Sequence, residues 1–306
     1  MEFGKVLENE INTIDFTLPA DGEQTLLTLK GKKRTDTNFY IGCAKWGRKE
    51  WINLIYPPKT KEKDFLMHYV KHFNTIELNA IFYGIPKAEQ IVKWKEIAEH
   101  YAKQDFLFCP KFTQNITHIK RLVNAQPETD LYLQAIHNFG KYLGPCFLQL
   151  SDNFGPKNFD ALKNYLTLLP VDLNMFVEVR HTDWFKDGKA RKDLFALLAS
   201  LNKGAVITDA SGRRDCVHME LSTPKAFIRF VGNGGKYLDS DKKRVDEWAM
   251  RLKSWLDRGL EDVYFFLHQH DEKDTPIIAD YTIEVFNKEL GAGLKRINFI
   301  NNAELF

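Results

Sequence analysis

Cysteine is scarce in this chain. Four residues, Cys43, Cys109, Cys146 and Cys216, are spread over 306 positions, and no two stand in a CxxC spacing. That argues against a disulfide framework and reads as reduced thiols in a cytoplasmic protein. Long apolar runs are missing too. Nothing approaches about 18 consecutive apolar residues, so neither a transmembrane helix nor a membrane partner is expected. The opening stretch MEFGKVLENEINTIDF is acidic and has no apolar centre, which argues against a secretory signal. Charge of one sign is also lacking: 43 Lys and Arg face 41 Asp and Glu, a net charge of +2. Such a balance exerts no global pull on nucleic acid and leaves only a local basic patch as a route to that partner. The GxSxG, HExxH, P-loop and dinucleotide-binding glycine patterns do not occur.

What is present is an ordinary globular composition, 44% hydrophobic and 27% charged, with an unusual 23 phenylalanines. Short apolar runs alternate with amphipathic segments. The runs at 39–46, 75–82, 106–112, 146–150, 175–180, 205–210, 226–232 and 263–270 read as strands. Between most of them lie segments with apolar residues at i, i+3 and i+4, such as AEQIVKWKEIAEHYA and KRVDEWAMRLKSWLDRG. Alternating β and α elements imply a parallel sheet. Eight units in this length predict an α/β protein with a (β/α)8 TIM barrel; a doubly wound open sheet is the alternative. The weak point is RRDCVHMELSTP, 213–224, between the sixth and seventh strands, which is too short for a good helix. Residues 1–37 read as an N-terminal extension with a solvated basic run at 30–34. Residues 38–290 read as the barrel, and 291–306 as a C-terminal tail.

The stretch NMFVEVRHTDW, 174–184, poses the functional question. It is an apolar strand that carries Glu178 and Arg180 on one face, at i and i+2. A buried charge is costly unless paired. Either the two form a structural ion pair or the strand ends at a functional pocket. The other strands also end in polar residues: Glu77 and Asn79 on the second, Lys111 on the third, Gln149 on the fourth, Asp209 on the sixth, Arg229 on the seventh, and His268 and His270 on the eighth. Barrel enzymes carry their chemistry at that end of the strands. Glu77 and Glu178 are the candidate acid and base, and Asp209 would position a water or a metal. Arg180, Arg229 and Lys111 would hold an anionic group, with Asn79 and Gln149 beside them.

HQH at 268–270 places two imidazoles on one side of a strand, a spacing that can share a divalent metal; hydrogen bonding to the acids is the competing reading. His118, in the loop after the third strand, would sit over the mouth as a further acid or base. Trp46 and Tyr83 follow the first two strands and would wall a pocket. GNGGKY, 232–237, stands where barrels often bind phosphate, with a flexible lid as the alternative.

The order of blocks IGCAKW, FNTIELNAIFYGIP, FLFCPKFTQNITH, LGPCFLQLSDNF, FVEVRHTDW and FIRFVGN resembles the YecE-like family, a domain of unknown function (DUF72), from about residue 39 to 270. The resemblance implies a TIM barrel. Glu77, Asn79, Lys111, His118, Gln149, Glu178, Arg180, His181, Asp209 and Arg229 fit the family's pattern, whereas typical members carry asparagine in the HQH region. It also implies likeness in shape to the AP endonuclease and xylose isomerase group. With the residue types above, the expectation is an enzyme of a hydrolytic kind, acting on a small anionic substrate that is phosphorylated or sugar-like. A nucleic-acid-binding phosphodiesterase and a non-catalytic small-molecule binder are the alternatives.

Overall fold

The structure is a computed structural model that describes residues 3–34, 36–186 and 188–300. Helix α1 (Glu23–Thr28) precedes strand β1 (Asn38–Cys43). Then follow α2 (Phe65–Tyr69), β2 (Thr75–Leu78), α3 (Ala80–Tyr83), α4 (Ala88–Tyr101), β3 (Leu107–Pro110), α5 (Gln126–Ile136) and β4 (Cys146–Gln149). The second half runs α6 (Phe159–Leu168), β5 (Met175–Glu178), α7 (Asp183–Lys186), α8 (Gly188–Ser200), β6 (Gly204–Asp209), β7 (Lys225–Gly232), α9 (Leu238–Leu256), β8 (Asp262–Gln269) and α10 (Thr275–Leu290). The eight strands pair in parallel in the order β3-β2-β1-β8-β7-β6-β5-β4. Phe112 N donates to the Phe147 carbonyl at 3.0 Å and Gly144 N to that of Phe108 at 2.8 Å, which draws the edges β3 and β4 together. The chain is a (β/α)8 TIM barrel. No helix among the described residues is long and apolar enough to cross a membrane.

Helix α9 shows how the pattern builds the outer layer. Val245, Trp248, Ala249, Leu252, Trp255 and Leu256 recur at helical spacing, and all are buried against the barrel. Inside, phenylalanine does what branched aliphatics do in most barrels. Phe147, Phe176, Phe227, Tyr264 and Phe266 fill the middle, with Phe227 centred 4.7 Å from Phe266 and 5.1 Å from Phe176. Gly204 makes the room: a Cβ there would lie 2.2 Å from the Phe176 ring.

Two expectations change in detail. The strand expected over 75–82 stops at Leu78, because Asn79 takes a helical conformation and starts the turn of α3. The extension is no loose appendage. Between β6 and β7 the chain makes only a single short helical turn, Arg214–Cys216, and α1 packs along the stretch that lacks a crossover helix. The buried Thr25 hydroxyl donates to the Met219 carbonyl at 2.7 Å and accepts from Leu221 N at 2.6 Å. Just before it, Asp21 bonds Arg251 at 2.8 Å, Trp255 at 2.9 Å and Arg258. At the other end, Leu294 and Ile297 are buried and Ile300 N reaches the Leu54 carbonyl at 3.0 Å, so the tail also packs on the barrel.

Replacing Thr25 with Val keeps its volume but leaves the Leu221 N–H buried without an acceptor. The variant should lose about 1–3 kcal/mol in urea unfolding; a loss below about 0.5 kcal/mol would mean that α1 is not integral to the barrel.

Candidate active site

Directly above the phenylalanine layer, at the C-terminal ends of the strands, the inward positions turn polar. Glu77, Lys111, Gln149, Glu178, Thr208, Arg229 and His268 come from seven strands or their ends, and all are buried. Arg229 occupies the centre. Its Nε and one Nη bond the two oxygens of Glu77, each at 2.8 Å, while its other Nη bonds Glu178 at 2.9 and 3.2 Å. Glu77 also meets His268 Nε2 at 3.0 Å and Asn79 Nδ2 at 2.9 Å. Glu178 accepts from Arg180 Nε at 2.8 Å, Gln149 Nε2 at 2.7 Å and the Thr208 hydroxyl at 3.0 Å. Glu178, the last residue of β5, and Arg180, two residues beyond it, are therefore one edge of a larger network.

The charges set the protonation states. Burial alone would raise both carboxyl groups. The adjacent charges overcome it: Arg229 and His268 hold Glu77 well below its ordinary range, and Arg180 with Arg229 brings Glu178 down to about 2. Two carboxylates and two guanidinium groups balance, and Lys111 is left over. Its Nζ donates to Gln149 Oε1 at 2.7 Å and lies 4.1 Å from the centre of the Phe82 ring. Among the described residues it has no carboxylate within ion-pair distance. Burial lowers its pKa first and the Arg229 charge lowers it further. Glu77 and Glu178 oppose them, and the outcome is about 7.

Of the other expected residues, some join this group and some do not. His118 lies in a helical turn, Asn115–Ile119, half-buried, with Nδ1 2.8 Å from the Thr117 hydroxyl and its ring edge-on to Phe82 at 5.2 Å. Burial and the nearby Lys111 lower its pKa. Trp46 and Tyr83 line a cleft of about 240 Å³ with Glu77 and Asn79, and Tyr83 is 75% exposed. Asp209 does not reach the mouth. It points outward into the helix layer, where Arg244 lies at 2.8 Å, Trp248 Nε1 donates to it at 2.8 Å and Arg214 also bonds it. Its neighbour Thr208 takes the inward place. Counting by twos from Val206, which faces the interior, would have found Thr208 in the sequence.

His268 and His270 do not converge on a metal. His268 faces Glu77, whereas His270 lies half-buried beyond the end of β8, its backbone N–H on the Gly232 carbonyl at 3.2 Å. Among the described residues no group of three or more His, Cys, Asp or Glu is placed to hold a metal ion. The oxygens of Glu77 already accept from Arg229, Asn79 and His268, so this donor set does not fit one. The glycine loop is likewise occupied from within. Asn233 N and Gly234 N both donate to Asp241 at 2.8 Å, so the chain's own carboxylate sits where a phosphate would bind.

A family model described as a protein of unknown function, DUF72, matches residues 40–297. The chain belongs to the DUF72 family. This DUF72 chain is 40% identical over 277 residues to the UPF0759 protein YunF of Bacillus subtilis, an alignment covering 82% of this chain and 95% of that one. It is 28% identical over 269 residues to the UPF0759 protein YecE of Escherichia coli K12, covering 82% and 93%. A crystal structure of a DUF72 family protein from Enterococcus faecalis superimposes with a TM-score of 0.61 at 14% identity. The match covers 85% of this chain and 98% of that one, and it supports the fold. The matched residues begin after the segment that carries α1.

Two measurements test the network. Arg229→Met would strand two buried carboxylates and should cost about 3–5 kcal/mol, read by urea unfolding near neutral pH. Glu178 has a folded pKa of about 2 against an ordinary 4.5, so its stabilisation is present above about pH 4.5 and is lost as pH falls toward 2. Glu178→Gln should therefore lose stability less steeply than the parent across that window. Parallel curves would show that the Glu178 carboxylate is not held by its neighbours.

Proposed function

We propose that this DUF72 protein is an enzyme that binds a small anionic substrate at the barrel mouth and uses Lys111 to move a proton. The observation that carries the reading is the buried amine with a single neutral hydrogen-bond partner, Gln149 Oε1 at 2.7 Å. A lysine ammonium has three N–H donors, and burying it this way leaves it short of acceptors. A phosphate or carboxylate arriving at the mouth would supply them. An amine that titrates at about 7 exists in both forms near neutral pH, as acid–base catalysis requires.

The remaining residues take roles that follow from their partners. Glu77, Arg229 and Glu178, with Arg180 completing the charge balance, form a rigid floor that orients the groups above it. Arg180 spends Nε on Glu178, and the rest of its guanidinium would hold the anionic group with Lys111. His118, neutral near pH 7 because burial and Lys111 disfavour its charge, would serve as the second proton carrier. Asn79 and Gln149 fix the carboxylates on which that geometry rests. A hydrolytic reaction on a phosphorylated substrate suits this set. Glycoside cleavage suits it less, since that chemistry needs one carboxyl group protonated near neutral pH and both Glu77 and Glu178 are held ionised.

Inorganic sulfate is a suitable probe because its charge is constant around neutral pH. Calorimetric titration should show sulfate affinity falling as pH rises through about 7. Lys111→Met should bind on the order of tenfold more weakly, with that pH dependence gone. Phosphate release from a panel of phosphate monoesters should be lost in the same variant. Sulfate binding that ignores both pH and the substitution would overturn the role given to Lys111.

A further inference from the structure

The mouth is not open on the side of Arg180. The N-terminal segment crosses it, and the Phe3 ring lies 3.8 Å from the Arg180 guanidinium carbon and 5.1 Å from that of Arg213. The two arginines are themselves joined, since Arg213 donates to the Arg180 backbone carbonyl. Arg213 is held by Asp215 through two bonds, at 2.9 and 2.8 Å. Arg180 is less fully used: among the described residues its two Nη atoms have no hydrogen-bond partner, and the ring covers them.

The segment is anchored unevenly. Around α1 it is tied by Asp21 and by the buried Thr25. Before Asp21, Arg214 donates to the Phe16 carbonyl at 2.9 Å, and Arg244 lies 4.6 Å from the Phe16 ring centre. Gly4 accepts from Gly212 N at 2.7 Å, Glu8 pairs with Lys236 at 2.7 Å, and its carbonyl accepts from the Tyr237 hydroxyl at 2.7 Å. Most residues from Lys5 to Thr17 are exposed or half-buried, Ile11 being buried. The tip still has a fitted seat. Gly4 has φ +71, and a Cβ there would come within 2.6 Å of Ala210 Cβ, so a larger residue would lift the backbone off the end of β6.

We propose that Arg180 and Arg213 form a subsite for a phosphate or carboxylate group, and that the tip of the arm, through Phe3, is a displaceable cover over it. The inference rests on the anion-binding reading above and adds the location of the anion and the element that competes for it. An arginine over an aromatic face gains less than an arginine paired with an anion. An entering anion therefore outcompetes the ring, and the arm beyond its anchor lifts without disturbing α1. The cover sets a threshold for occupancy and is restored when the anion leaves.

The test compares sulfate binding to the full chain, to Phe3→Ala and to Gly4→Val by calorimetry, alongside hydrogen exchange of residues 3–16 with and without sulfate. Both variants should bind sulfate about two- to fivefold more tightly than the parent, matching the loss of a cation–π contact. Sulfate should also speed exchange in the arm of the parent. Arg180→Gln should weaken binding with or without Phe3. Equal affinity in the parent and both arm variants, with exchange in the arm unchanged by sulfate, would overturn the cover and leave the anion site standing. No sulfate binding to any form would overturn both.

Discussion

The barrel mouth is organised by one guanidinium group between two buried carboxylates. Arg229 is 2% exposed, so its charge must be met inside the protein. Glu77 and Glu178 meet it from opposite sides of the barrel, and each is finished by neutral or cationic donors from neighbouring strands. This arrangement joins β2, β5 and β7 across the barrel axis. It also fixes the electrostatics of everything above it. Because the acids are consumed by the arginines, Lys111 is left, among the described residues, without a carboxylate at ion-pair distance, and this is why the proposed function turns on its amine.

Much of this was legible in the sequence. Eight apolar runs alternating with amphipathic segments specify a barrel, and most of the late polar residues gather at the C-terminal ends of its strands. The i, i+2 spacing of Glu178 and Arg180 left an ion pair or a pocket open, and the two do pair, with Arg180 two residues past the end of β5. Asp209 was misleading because strand β6 is buried on both faces. In such a strand a terminal aspartate can serve the helix layer as readily as the mouth, and only the parity of Val206 and Thr208 decides between them. The HQH motif failed for a related reason: β8 ends at Gln269, so the chain has left the strand by His270. The glycine loop carried the right backbone for an anion, but nothing local revealed that Asp241, nine residues after Gly232, would fill it.

The N-terminal segment was the least legible part. Its sequence is polar and short of periodicity, and its value lies in what it replaces. The connection from β6 to β7 gives the barrel no crossover helix of its own, and the exposed flank would otherwise leave the backbone of Met219 and Leu221 without partners. Thr25 supplies them. The segment that closes this flank also brings Phe3 to Arg180, so the packing of the barrel's flank and the proposed cover share one stretch of chain.

The packed phenylalanine floor has its own consequence. A barrel is a tube with two ends, but here Phe147, Phe176, Phe227 and Phe266 seal the passage beneath the polar layer with rings that carry no hydrogen-bonding atoms. In the reading proposed above, substrate and protons would reach Lys111 from the mouth, on the side where Phe3 lies over Arg180.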